Sequence, residues 1–144
     1  MKKENERKKE YLRQYARSQK RIDNLKEQLL SLRETEQSIR SQQMSDMPKG
    51  SSRDKDLSDL MVKIEKLNEK IKAEMLKSAK TKIAIEEDIL NLQNVNEARV
   101  LRMRYIESLQ WEEISAKTKY SKRQTLRIHG SALKNFKDVT QCHF

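Results

Sequence analysis

The sequence predicts an all-α protein: a long N-terminal helical hairpin or coiled coil followed by a compact C-terminal module of three short helices. Three observations carry this. Apolar residues recur at helical spacing through most of the chain, only two Gly and one Pro interrupt it, and the pattern changes abruptly after the asparagines near residue 94. The division expected is residues 1–93 for the long helices, with a linker near 45–53, then 94–137 for the module and 138–144 as a tail.

The first helix is expected from about Glu4 to Met44. Tyr15, Ile22 and Leu29 form one seven-residue row, and Tyr11, Leu25, Leu32 and Ile39 form the next. Such a seam is the signature of helices packed side by side. Ser18 and Glu36 interrupt it at seam positions, where polar groups weaken association but specify register. The helix should stop within Asp46-Met47-Pro48-Lys49-Gly50-Ser51-Ser52, because Pro48 lacks an N–H and disfavours helix at the residue before it. Ser51 with Asp54 offers a capping pair for the second helix.

That second helix is expected from about Asp54 to Leu92, with Leu57, Leu60, Met61, Ile64, Leu67, Ile71, Met75, Ile85, Ile89 and Leu92 as its stripe and a shift of phase around Ser78 to Lys82. One seam buries little area per residue, so further burial is expected through homodimerisation of the long helices or against the C-terminal module. Asn94-Val95-Asn96 ends or kinks the helix, since Asn is poor inside helices and good at their caps.

Three segments follow: Ala98 to Ile106, Trp111 to Lys117, and Lys122 to Phe136. Thr118-Lys119-Tyr120 is the turn before the last of them, and Ser121-Lys122-Arg123-Gln124 has the form of a capping box. Advancing 100° per residue puts Thr125, His129, Ala132 and Phe136 on one face, flanked by Ile128 and Leu133. The other face carries Arg123, Arg127, Gly130, Ser131 and Lys134, bordered by Gln124 and Leu126. A short helix, a tight turn and a capped basic helix together form a helix-turn-helix, whose last helix enters the major groove of duplex DNA. Arg123, Gln124 and Arg127 are the expected readers of base edges, and Lys117, Lys119, Lys122 and Lys134 the expected phosphate contacts, with Ser131 beside them. Gly130, costing its helix about 1 kcal/mol relative to Ala, is expected to mark the close approach of another backbone.

Charge supports a polyanionic partner. The chain carries a formal +10, and residues 99–137 hold ten Lys/Arg against three Asp/Glu, a balance of +7. Charged residues reach 38% and hydrophobic ones 35%, against about 25% and about 45–50% in ordinary domains. No apolar run approaches the roughly 18 residues of a membrane span, and the N-terminus leads into charge, so no membrane partner and a cytoplasmic location in a bacterial host are expected. Cys142 is the only cysteine, and with His143 it lies in the tail. No Gly-rich phosphate loop or ligand cluster points to an enzyme, a cofactor or a metal. Trp111 and Tyr120 read as core residues and His129 as a packed imidazole.

The residues also carry a resemblance. Val100-Leu101-Arg102-Met103-Arg104-Tyr105-Ile106-Glu107, then Trp111-Glu112-Glu113-Ile114, Tyr120-Ser121-Lys122-Arg123-Gln124 and Ile128-His129-Gly130-Ser131-Ala132-Leu133 resemble region 4 of sigma-70-type factors. They are more similar still to the RinA/ArpU-like small helical phage and prophage regulators of Gram-positive bacteria. Tyr11-Leu12-Arg13-Gln14-Tyr15 and Ser45-Asp46-Met47-Pro48-Lys49-Gly50 extend the resemblance towards the N-terminus. It implies phage-type transcriptional regulation, with double-stranded DNA as partner and RNA polymerase as a second candidate. The pattern often has Gly where this chain has Ser108 and Lys119, Ile-Ala where it has Ile114-Ser115, and Val at Thr125. Nothing matches sigma region 2. Two other functions fit the residues: an adaptor contacting RNA polymerase or another regulator, and a small terminase-like DNA-packaging component.

Overall fold

The computed structural model describes residues 2–43 and 51–137, with side chains omitted at 43 and 51–53. Residues 45–50 of the expected linker with its Pro48 stop, the Ser51 side chain of the expected Ser51–Asp54 cap and the Cys142-His143 tail lie outside the described residues. Within them the chain is helical and contains no strand. Helix α1 spans Lys2–Gln43, α2 Ser51–Leu90, α3 Val95–Leu101, α4 Trp111–Thr118 and α5 Lys122–Asn135; α3 continues into a π-helical turn, Arg102–Ile106. No described helix is long and apolar enough to cross a membrane.

Along α1 the seam has the expected phase: Tyr11, Tyr15, Ser18, Ile22, Leu25, Leu29, Leu32, Glu36 and Ile39 are all buried or half-buried. Along α2 the expectation needs correcting. Residues at unbroken three-and-four spacing, Leu57, Leu60, Ile64, Leu67, Ile71, Glu74, Ser78, Thr81, Ile85 and Asp88, are buried or half-buried, and no phase shift occurs. The stripe looked displaced because polar residues occupy its second half. Met61 and Met75, taken for members of it, are exposed.

The described residues divide into two compact units, 2–18 with 78–137, and Gln19–Lys77. In the second, Ile22, Leu60, Ile64 and Ile71 are buried, and the Arg40 guanidinium lies 3.8 Å from the Met61 sulfur. In the first, the start of α1 runs antiparallel to the end of α2. Tyr11 donates to the Asp88 carboxylate, the Lys82 ammonium sits 5.8 Å from the Tyr15 ring centroid, and Ser18 Oγ and Ser78 Oγ share a 2.7 Å hydrogen bond. Buried polar groups must find partners, so each pair penalises any sliding of one helix past the other.

Packing crosses the expected boundary near residue 93. Tyr11, Leu12, Ile85 and Ile89 belong to one buried cluster with Leu101, Tyr105, Ile106, Ala132, Leu133 and Phe136. Leu12, outside the expected seam, is fully buried here. The ends of the long helices thus complete the core that the short helices share, as expected for a segment of so few residues. Lys8 adds a polar tie: its ammonium donates to the carbonyls of Leu133 at 2.8 Å and Lys134 at 3.3 Å, which the last turn of α5 would otherwise leave without helical donors.

Leu12→Ala should therefore lower unfolding free energy by about 2–5 kcal/mol. Loss of α5 protection in amide exchange, parallel to the fall in urea midpoint, is the expected readout; an effect confined to α1 would contradict the shared core.

Candidate nucleic-acid interface

Side-chain caps start two of the short helices, α3 and α5. Asn94 Oδ1 accepts from the amides of Asn96 at 2.9 Å and Glu97 at 3.3 Å and starts α3. The π-helical turn then adds a residue to the backbone ring, with the Glu107 amide bonding Arg102 O at 3.0 Å, and Met103, Tyr105 and Ile106 all face inward. Ser108 leaves this turn at φ 57° and Lys119 leaves α4 at φ 64°. Both occupy the left-handed region that favours Gly. At Lys119 the amide bonds Ser115 O at 2.9 Å, and Ser115 Oγ donates to Tyr120 O at 2.5 Å, which ties the turn across its base. Thr118, expected in the turn, is the last residue of α4. Ser121 is the N-cap of α5, its Oγ accepting from the Gln124 amide at 3.1 Å.

The two faces of α5 separate as expected. Thr125, His129, Ala132, Leu133 and Phe136 are buried and Ile128 is half-buried, whereas Arg123, Gln124, Arg127, Gly130, Ser131 and Lys134 are exposed. Lys117 and Lys119 are exposed at the end of α4 and in the turn. Lys122 is exposed too, but its ammonium pairs with Glu112 at 2.9 Å, holding that carboxyl below its ordinary pKa. An exposed pair of this kind is weak. Ser131 donates to Glu97 Oε1 at 3.2 Å, and Asn135 donates to the same oxygen at 2.7 Å. Glu97, which no periodicity marked, is a buried carboxylate that fastens α5 to α3. A cleft of about 340 Å³ beside α5 brings Asn96 and Tyr120 next to Gln124 and Arg127. Spacing marks neither as a site residue, because tertiary packing puts α3 beside the turn.

Gly130 requires a correction. A Cβ there would meet nothing within 4 Å, so among the described residues no other backbone approaches it. The helix carries a destabilising residue on an open face.

His129 is packed, though not against backbone. Its Nε2 lies 2.8 Å from the Tyr105 hydroxyl, and its ring meets Trp111 edge-on at 4.7 Å between centroids. The Arg104 guanidinium covers Trp111, 4.5 Å from the ring centroid, and donates to Leu109 O at 3.0 Å. Burial, then the cations Lys9, Arg104 and Arg13, push His129 down to about 4, and burial raises Tyr105. Both are neutral near pH 7, which suits a structural hydrogen bond. Among the described residues no group of three or more His, Cys, Asp or Glu is placed to hold a metal ion.

Two outcomes follow from these placements. Gly130→Ala should raise unfolding free energy by about 1 kcal/mol, measured by urea denaturation; destabilisation would mean that the position is crowded. In the unfolded chain His129 protonates near pH 6.5, whereas in the folded chain it resists until about 4. Stability contributed by this group is thus intact above pH 6.5 and falls as pH drops towards 4, by about 1–2 kcal/mol between pH 7 and 5. His129→Gln should shrink that dependence; an unchanged slope would place the titration elsewhere.

Compared with known proteins, the chain matches no curated protein and no solved structure. A family model described as protein of unknown function (DUF1492) matches residues 38–137, from the last part of α1 through the whole of α5. That is more than half of the chain, which therefore belongs to the DUF1492 family.

Proposed function

We infer that this protein is a sequence-selective binder of double-stranded DNA, a transcriptional regulator of phage or prophage type acting in the bacterial cytoplasm. In this reading α4 and α5 form a sigma region 4-like helix-turn-helix. The observation that carries it is the division of α5: a Ser121-capped helix whose apolar side is seated in a core while Arg123, Gln124 and Arg127 of its first turns stay exposed. Recognition helices place these first turns in the major groove. The left-handed Ser108 and Lys119 lend the resemblance support, since they stand where its sequence pattern often has Gly.

In mechanism, Arg123 and Arg127 pair with guanine edges and Gln124 with adenine, each a two-pronged match of donors and acceptors. Lys117, Lys119, Lys122 and Lys134 neutralise phosphates and release counterions. Gly130, bare on the same face, lets the DNA backbone come close where a side chain would stand off.

Arg127→Ala should cost about 1–3 kcal/mol on the preferred site and relax sequence preference, whereas Lys134→Ala should weaken all duplexes alike and reduce the salt slope by about 1. Gel shifts on fragments selected from a phage genome, over a salt series, measure both. Equal losses on specific and random duplexes for both variants would defeat the assignment. Capture of RNA polymerase with no salt-dependent shift of any duplex would favour the adaptor reading, and a ring-sized oligomer the packaging one.

A further inference from the structure

Large apolar side chains that stay exposed among the described residues concentrate on α2, where Met61, Val62, Met75, Leu76, Ile83 and Leu90 all remain open. Leu76, Ile83 and Leu90, exposed by 59%, 55% and 77%, follow one another at seven-residue intervals and so share one row of the helix. Ile83 lies about 200° around the helix from the fully buried Ile85, so this row faces away from the seam that α2 makes with α1. Between its members stand exposed Lys80 and Glu87. Leu76, Lys80, Ile83, Glu87 and Leu90 thus repeat the alternating four-and-three spacing of a second packing seam on the outer side of a single helix.

Exposure alone would not say what covers this face; the order of charge does. Lys80 precedes Ile83 and Glu87 follows it. A second α2 laid parallel would set Lys80 beside Lys80 and Glu87 beside Glu87, like charges facing one another. Laid antiparallel about a two-fold axis at Ile83, it meets Ile83 with Ile83, Leu76 with Leu90 of the second copy, and Lys80 with Glu87 of the second copy. A two-fold interface must be self-complementary, and this stripe is so in one direction only. We propose that the outer face of α2 is a homodimer interface, an antiparallel pairing of two copies centred on Ile83. It does not rest on the DNA-binding reading: a dimer that ignores DNA leaves it standing, and a monomer that shifts DNA overturns it alone.

Single-cysteine chains in a Cys142→Ser background test the register. Under mild oxidation Ile83→Cys should cross-link to itself efficiently. Leu76→Cys and Leu90→Cys should cross-link with each other in a mixture, at least about tenfold faster than either does alone. Self-linking of all three would establish a parallel pair and overturn the proposal. Sedimentation of the full chain should give a dimer whose Kd rises about tenfold or more in Lys80→Glu and returns to within about twofold in Lys80→Glu/Glu87→Lys. These positions are exposed, and unchanged circular dichroism checks that the fold persists. Should the unaltered chain sediment as a monomer throughout the micromolar range, or Lys80→Glu leave association untouched, the interface is wrong.

Discussion

The constraint on which the molecule depends is the seating of α5. Ala132, Leu133 and Phe136 enter a cluster to which α1 contributes Tyr11 and Leu12 and α2 contributes Ile85 and Ile89. A segment as short as α3 to α5 loses conformational entropy on ordering without burying enough of its own surface to offset it. With those four residues in place the inner face of α5 is satisfied, and its guanidinium groups have one direction left, outward. Direction of the basic face is therefore a consequence of packing made by residues far away in the chain.

Apolar burial is not directional, and polar ties supply what it lacks. Ser18 with Ser78 and Tyr11 with Asp88 penalise sliding of α1 along α2. Lys8 closes the last turn of α5, and Glu97 gathers Ser131 and Asn135. Each buried polar group would cost more unpaired than it contributes paired. The net gain in stability from such ties is modest, whereas the penalty for any other arrangement is large. Under the proposed DNA-binding reading that rigidity matters, because a misplaced donor loses its partner.

Elsewhere the chain accepts local cost. Ser108 and Lys119 adopt backbone conformations that Gly would adopt with less strain, and Gly130 occupies a helix interior where Ala would be more stable. The first turns the chain from the π-helical turn towards α4, and the second from α4 towards α5. The last leaves open space on the same side as Arg123 and Arg127.

Helicity, the cap at Ser121, the seam of α1 and the two faces of α5 were all legible in the sequence, because each depends on residues within a few turns of one another. Asn94 and the short helices after it were legible for the same reason. The second half of the α2 seam was not: Ser78 and Asp88 look like solvent-facing residues until their partners on α1 are known, and Met75 looks buried although it is exposed. Leu12, Lys8 and Glu97 gave no local signal, since what buries them lies between 34 and 125 residues away in the chain. Periodicity reports which side of a helix is apolar; only tertiary structure decides what that side meets. The choice turns on the total area buried and on which polar groups find partners, and neither quantity belongs to any one stretch of sequence.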